Sequence, residues 1–266
     1  TSQGIHLVFD KKYFPGNAAM MIPKTADGRV LFAVPWHNKV IVGTTDTEIE
    51  KPALEPKPLE EEIEFILQHM NKYLQVDVQR SNVLSVYVGL RPLVIKNKTL
   101  KPSLMSRSHT IIVSGSGLVT ITGGKWTSYR KMGEDAVNNA VFSAKLEKKT
   151  CVTENLKIHG WKNDTDKTDA LHIYGNAAAG IKKICNENAL WSEPIHPSFP
   201  NIKAEIVWAV RNEMAMTVED LLARRTRILF LDAKAAIEVA PDVAKLMGDE
   251  MNKDSNWQQQ QINAFN

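Results

Sequence analysis

The sequence predicts an α+β protein: a mixed or antiparallel sheet domain over residues 1–150, followed by an all-α domain over residues 151–266. Three observations carry this expectation. Runs rich in Val, Ile and Thr, such as RVLFAVP and KVIVGT, recur in the first part and are separated by turns. Past residue 150 the apolar residues recur at helical spacing instead. The chain does not open on a strand, a GxGxxG turn and a helix, so nothing points to a doubly wound parallel sheet.

The elements follow in order. Residues 4–9, GIHLVF, form an apolar strand holding His6, and Ala18–Pro23 forms a second after the Pro15-Gly16 turn. Arg29–Pro35 and Lys39–Thr44 make a hairpin whose tip is Trp36-His37-Asn38. The polar trio Thr44-Thr45-Asp46 stands at the end of that hairpin, where ligand contacts are often supplied. Residues 51–58, with three prolines, are a linker. Leu59–Leu74 is a helix, with Ile63, Ile66, Leu67 and Met70 on one face and Glu60–Glu62 in its first turn. Val83–Leu90 is a strand ending at Arg91-Pro92, and a loop over Lys96–Pro102 leads to Arg107. Thr110–Ser114 and Leu118–Thr122 are the last strands, and a helix over Thr127–Phe142 closes the first domain. In the second domain, helices are expected at 168–174, 177–188, 202–214, 218–223, 232–239 and 241–252, with Pro241 at a first helical position. The Gln- and Asn-rich end, 254–266, reads as frayed or as a short surface helix.

Composition narrows the function classes. The chain has 266 residues, 43% hydrophobic and 24% charged, as in ordinary globular proteins. No apolar run approaches the roughly 20 residues that cross a bilayer, and TSQGIHLVFDKKYF lacks the apolar core of a secretory signal. Cys151 and Cys185 are too few for a disulfide framework and too sparse for a zinc site, which suits a reducing, cytoplasmic setting. The histidines have no metal-like spacing, so no metal is expected. Residues 1–150 carry 20 Lys and Arg against 14 Asp and Glu, a net of +6; residues 151–266 carry 13 against 16, a net of −3, matching the overall +3. A basic first part suits an anionic ligand or membrane surface. There is no basic stripe with interleaved aromatics, so nucleic acid is not an expected partner.

The stretch that organises the chemistry is VTITGGKWTSYR, Val119–Arg130. A strand runs into Gly123-Gly124, then Lys125, then a helix start. The glycines let backbone come close to a ligand, and a helix start offers unpaired N–H groups and partial positive charge. Such a corner suits an anion or an electron-rich ring edge; an ordinary strand-to-helix turn with a solvent-facing Lys is the plainer alternative. It is neither a Walker loop, since Val119 and Trp126 stand where Gly and Ser or Thr are needed, nor a dinucleotide fingerprint, since Thr120 replaces the third glycine. Arg91, Arg107 and Lys125 are three cations at strand ends: if the ends converge they hold a small phosphorylated anion, and if not they are unrelated surface charges. His6 is either a general base or a hydrogen-bonded core residue. Arg224, Arg225 and Arg227 read as a solvated or interdomain face.

The runs VPWHNKVIVGTTDTE, VGLRPL, SRSHT and ITGGKWTSYRKMGEDAV, in that order, resemble the FAD-dependent glycerol-3-phosphate dehydrogenases. NEMAMTVEDLLARRTRILFLD is similar to that family's C-terminal domain, so the resemblance covers nearly the whole chain. It implies a substrate-side sheet domain of a flavin oxidoreductase followed by the helical domain. It implies oxidation of sn-glycerol 3-phosphate to dihydroxyacetone phosphate, with a hydride passed to FAD and electrons to a quinone, or to oxygen in the oxidase relatives. It further implies a peripheral place at a membrane surface, on the inner face of the cell membrane, and admits a homodimer. A non-catalytic helical interaction module is the contrasting class.

The resemblance also assigns roles. Arg91 and Arg107 would bind substrate, Arg107 holding the phosphate. Lys125 would lie between substrate and flavin. Gly124, Lys125, Trp126 and Thr127 would frame the pyrimidine end of FAD. His6, Arg91 and Lys125 would be catalytic, His6 holding or deprotonating the reacting hydroxyl, with Thr44-Thr45-Asp46 as support. Family members begin with the βαβ segment that binds the ADP half of FAD, which these residues do not contain. The chain is therefore expected to be a C-terminal portion that binds FAD weakly or not at all and is inactive alone.

Overall fold

The structure, a computed structural model, describes residues 1–25, 28–91 and 108–266. Its strands are β1 (Ser2–Asp10), β2 (Met20–Ile22), β3 (Leu31–Trp36), β4 (Lys39–Gly43), β5 (Thr47–Glu48), β6 (Ser85–Arg91), β7 (His109–Val113) and β8 (Val119–Gly123). Its α-helices are α1 (Glu60–Asn71), α2 (Tyr129–Ser143), α3 (Ala178–Glu187), α4 (Lys203–Asn212), α5 (Ile228–Leu231), α6 (Ala233–Glu250) and α7 (Ser255–Phe265). The expected α+β class holds. Six strands form a sheet in the order β2–β3–β4–β1–β5, with β6 also pairing to β1, and β7 and β8 form a separate hairpin. The pairings of β1 with β4 and β5, β2 with β3, β3 with β4 and β7 with β8 are all antiparallel.

Local sequence explains the sheet. On β3, Leu31 and Ala33 are buried while Phe32 and Val34 face out, the alternation of a strand with one wet face. On β1, Ile5, Leu7, Val8 and Phe9 are all buried, so both of its faces are covered. The β3–β4 tip is His37-Asn38, whose positive φ values of 45° and 59° suit a two-residue hairpin turn. Helix α1 starts where expected, with the Leu59 N–H donating to Glu62, and buries Ile63, Ile66, Leu67 and Met70.

By compactness the chain divides into two units that interleave in sequence. The first comprises Thr1–Gly4, Thr45–Lys57 and Val88–Ile158; the second comprises Ile5–Thr44, Pro58–Tyr87 and His159–Asn266. In the first, α2 packs along the β7–β8 hairpin, and His109 Nε2 lies 3.1 Å from Asp135 Oδ2. No hydrophobic side chain of this unit is buried among the described residues; Trp126 and Phe142 are each 87% exposed. Among the described residues, every buried hydrophobic side chain lies in the second unit: on β1 to β4, in α1, at Val78 and in the segments after residue 170.

Those later helices follow the expected order, with differences at the joints. The segment expected as a helix at 168–174 is instead a run of 3₁₀ turns, Ala170–Ala177, with Asp169 accepting from Leu171 N–H. The segment expected at 218–223 winds as a π-helix over Asp220–Arg225, Thr226 N–H donating to Leu221 O. The two helices expected on either side of Pro241 are one, α6, with Pro241 inside it. Pro costs the helix a hydrogen bond. Ala236, Val239, Ala240, Val243, Ala244 and Met247 are all buried along it, and burying that continuous stripe outweighs the loss. Helix α7 is ordered to its end because Trp257, Ile262 and Phe265 pack against the same core.

Glu205 is a buried acid of the second unit. It accepts from Tyr174 Oη (2.7 Å), Asn201 Nδ2 (3.0 Å) and Ile202 N–H (2.8 Å). Burial raises its carboxyl above the ordinary value, against the opposing pull of those donors. A raised folded value means that its contribution to stability is fully present below the ordinary carboxyl value of 4.5 and is lost as pH rises through the folded value. Denaturant titrations should therefore show wild type losing stability relative to E205Q as pH climbs from 4.5. Y174F should cost about 1–3 kcal/mol, because a buried acceptor loses its donor.

Candidate functional site

Arg91 ends β6, and its guanidinium is held on two sides. Nη1 donates to Asp46 Oδ1 at 3.0 Å, and Nη2 donates to the Thr45 carbonyl at 3.1 Å. The fork lies across Gly4, where a Cβ would collide with both terminal nitrogens. The polar trio expected as support thus supplies Arg91 with a carboxylate and a carbonyl. The pair is only partly exposed, 29% for Arg91 and 16% for Asp46, so the charges interact more strongly than at an open surface.

The glycine pair is placed as expected, at the end of β8 and before a helix start. Gly123 and Gly124 have φ of 72° and 85°, a region side chains avoid. A Cβ at Gly124 would also meet Met132 Sδ at 2.6 Å and His109 Cβ at 3.2 Å, so the corner is pinned against α2 and β7. The helix begins one turn differently from expectation: Trp126–Ser128 is a 3₁₀ turn, and α2 follows. Ser128 donates to the Lys125 carbonyl through both N–H (3.0 Å) and Oγ (2.9 Å), closing that turn. Lys125, Trp126 and Thr127 face solvent. The Trp126 and Tyr129 rings stand 5.8 Å apart at 31°. The corner therefore offers a cation, a bare backbone and a flat aromatic surface to the outside.

His6 belongs to the other unit. It pairs with Gly43 across β1 and β4, and a Cβ at Gly43 would collide with its ring. The Tyr87 ring stacks on it, centroids 5.1 Å apart at 11°. Phe230 meets Tyr87 edge-on at 5.2 Å. The imidazole is thus clamped in one orientation, and burial pushes the Tyr87 hydroxyl up from its ordinary value. Arg107 lies outside the described residues. The structure thus gathers the predicted residues into three groups: Arg91 with Thr45 and Asp46, the run Gly124 to Thr127, and His6 between Gly43 and Tyr87.

Tyr87, Gly4 and Gly43 escaped sequence reasoning. A glycine inside a strand signals close approach, and Gly4 and Gly43 carried that signal.

Residues 119–261 match the family described as the C-terminal domain of alpha-glycerophosphate oxidase, and residues 1–130 match the FAD dependent oxidoreductase family. A mitochondrial glycerol-3-phosphate dehydrogenase of Arabidopsis thaliana is 35% identical over 98% of this chain and 46% of its own length. That of Homo sapiens is 36% identical over 98% of this chain and 39% of its own. The glycerol-3-phosphate dehydrogenase from Bacillus halodurans, solved in complex with FAD, superposes with a TM-score of 0.80 at 26% identity, over 99% of this chain and 55% of that one. The chain thus spans less than half the length of these two sequence relatives.

The clamp on His6 is testable without any ligand. G43A should destabilise the fold by about 1–3 kcal/mol, since the new methyl must displace the imidazole. G89A, where a Cβ meets nothing within 4 Å, should be neutral or mildly stabilising in the same unfolding assay.

Proposed function

The chain belongs to the family described as the C-terminal domain of alpha-glycerophosphate oxidase, with residues 1–130 matching the FAD dependent oxidoreductase family, and from there we propose that the whole protein oxidises sn-glycerol 3-phosphate to dihydroxyacetone phosphate. One observation carries the reading: the solvent-facing corner at Gly123–Thr127, where two positive-φ glycines and a cation open a strand end. That corner suits a flavin edge. It has two successive glycines, a cation where electron density accumulates on reduction, and an exposed indole alongside.

Gly124, Lys125, Trp126 and Thr127 would hold the pyrimidine end of FAD, whose chemistry when bound is acceptance of a hydride. The chain's own residues do the rest. Arg107 clamps the substrate phosphate with a planar fork. Arg91, fixed by Asp46 and Thr45, holds the substrate beside the carbon that is oxidised. His6 takes the hydroxyl proton at an imidazole nitrogen, so that the alcohol loses one proton and one hydride in all. Lys125 stabilises the negative charge that develops next to it.

In this reading electrons pass on to a quinone, and the protein sits peripherally on the inner face of the cell membrane, with homodimers as its assembly. The mitochondrial names of the relatives make a mitochondrial membrane the second setting. Transfer to oxygen is the second reading of the chemistry, favoured by the oxidase description of the matching C-terminal domain. Peroxide release against quinone reduction separates the two.

In a polypeptide that carries this chain within the full length of its relatives, R107A should raise KM for glycerol 3-phosphate by about tenfold or more, as loss of a charge-assisted clamp requires. An unchanged KM would instead support a non-catalytic interaction module. The 266 residues by themselves should take up no stoichiometric flavin and show no dehydrogenase activity; a yellow protein after gel filtration with FAD would contradict this.

A further inference from the structure

The second compact unit holds a cavity of about 330 Å³ between the β3–β4 tip and the helical segments. Its charged and titratable lining is of one kind: His37, Lys39, Lys167, His172 and Arg227, with no Asp or Glu. Another cavity of the unit, about 270 Å³, is mixed, setting Lys203 and Lys245 against Asp242 and Asp249.

The arginines of the RRTR run divide accordingly. Arg224 pairs with Glu219 at 2.6 Å and Asp220 at 3.1 Å, and Arg225 pairs with Glu213 at 3.3 Å. Arg227 has no acidic partner among the described residues, and neither has Lys167. Lys39 meets Asp10 only at 3.6 Å, and His172 spends its Nδ1 on the Asp169 carbonyl. Arg227 is held at φ 63°, a left-handed conformation uncommon for a side-chain-bearing residue. Burial first, and then the positive charges of Arg227 and His172, hold the His37 imidazole below its ordinary value. Cations gathered in a half-enclosed hollow repel one another unless an anion joins them. Phe199, Ile173 and Leu231 give the hollow an apolar wall that suits the organic part of such an anion.

We propose that this cavity binds a small phosphate-bearing anion, with Arg227 as the fork that receives the phosphate and Lys167 and His172 as further donors. None of these three residues is among those given to the substrate above, and the proposal stands or falls independently of that reading.

The test uses the full 266-residue chain and inorganic phosphate, followed by the imidazole proton resonances of His37 and His172, assigned with H37Q and H172Q. Phosphate should shift both resonances saturably. R227Q should weaken that response about tenfold or more, as loss of one charge-assisted fork predicts. K167Q, at an exposed position that should not disturb folding, should weaken it about threefold, a smaller loss suited to a flexible point charge. R107A should leave it unchanged, which separates this site from the substrate clamp. No saturable shift at either histidine in the folded protein would overturn the proposal. A response of undiminished affinity in both folded R227Q and folded K167Q would do the same.

Discussion

Two of the side chains expected to act on substrate rest directly on bare backbone, and the orientation of each depends on that contact. The His6 ring lies where a Gly43 Cβ would stand, and the Arg91 fork lies where a Gly4 Cβ would stand. A glycine inside a strand costs stability, because the unfolded chain has more freedom to lose. Here the cost brings geometry. With backbone below and Tyr87 stacked beside it, His6 keeps one orientation; with Asp46 and the Thr45 carbonyl gripping two nitrogens, Arg91 keeps another. Preorganised groups of this kind lose little entropy when a reaction calls on them.

Much of this was legible in the sequence, and the limits were physical. Strand and helix types were readable because their apolar periods of two and 3.6 are local. The glycine corner was readable because Gly123-Gly124 followed a strand and preceded a helix, all within a dozen residues. The partner of Arg91 was not readable, because Asp46 lies far away in sequence and becomes a neighbour only through folding. The fate of Pro241 was misread for a related reason: local rules place Pro at a helix start, and only the buried stripe on both sides of it shows that packing prevails. The π-helical winding at Asp220–Arg225 has no local signature at all. Family membership was legible through four motifs in order, since their joint spacing constrains far more than any single motif does.

The RRTR run shows how position divides residues of one type. Arg224 and Arg225 find carboxylates and serve as structural ties. Arg227, two residues on and turned into the left-handed region, faces a hollow instead. Three like residues thus meet two different electrostatic environments, which composition alone does not separate.

Apolar burial is also unevenly shared. The unit with α6 holds all the buried hydrophobic side chains, while the unit with the glycine corner holds none among its described residues. Resistance to opening follows buried apolar contact. Amide hydrogens along α2 should then trade with deuterium long before those of α6. The corner would belong to the part of the chain that breathes most readily.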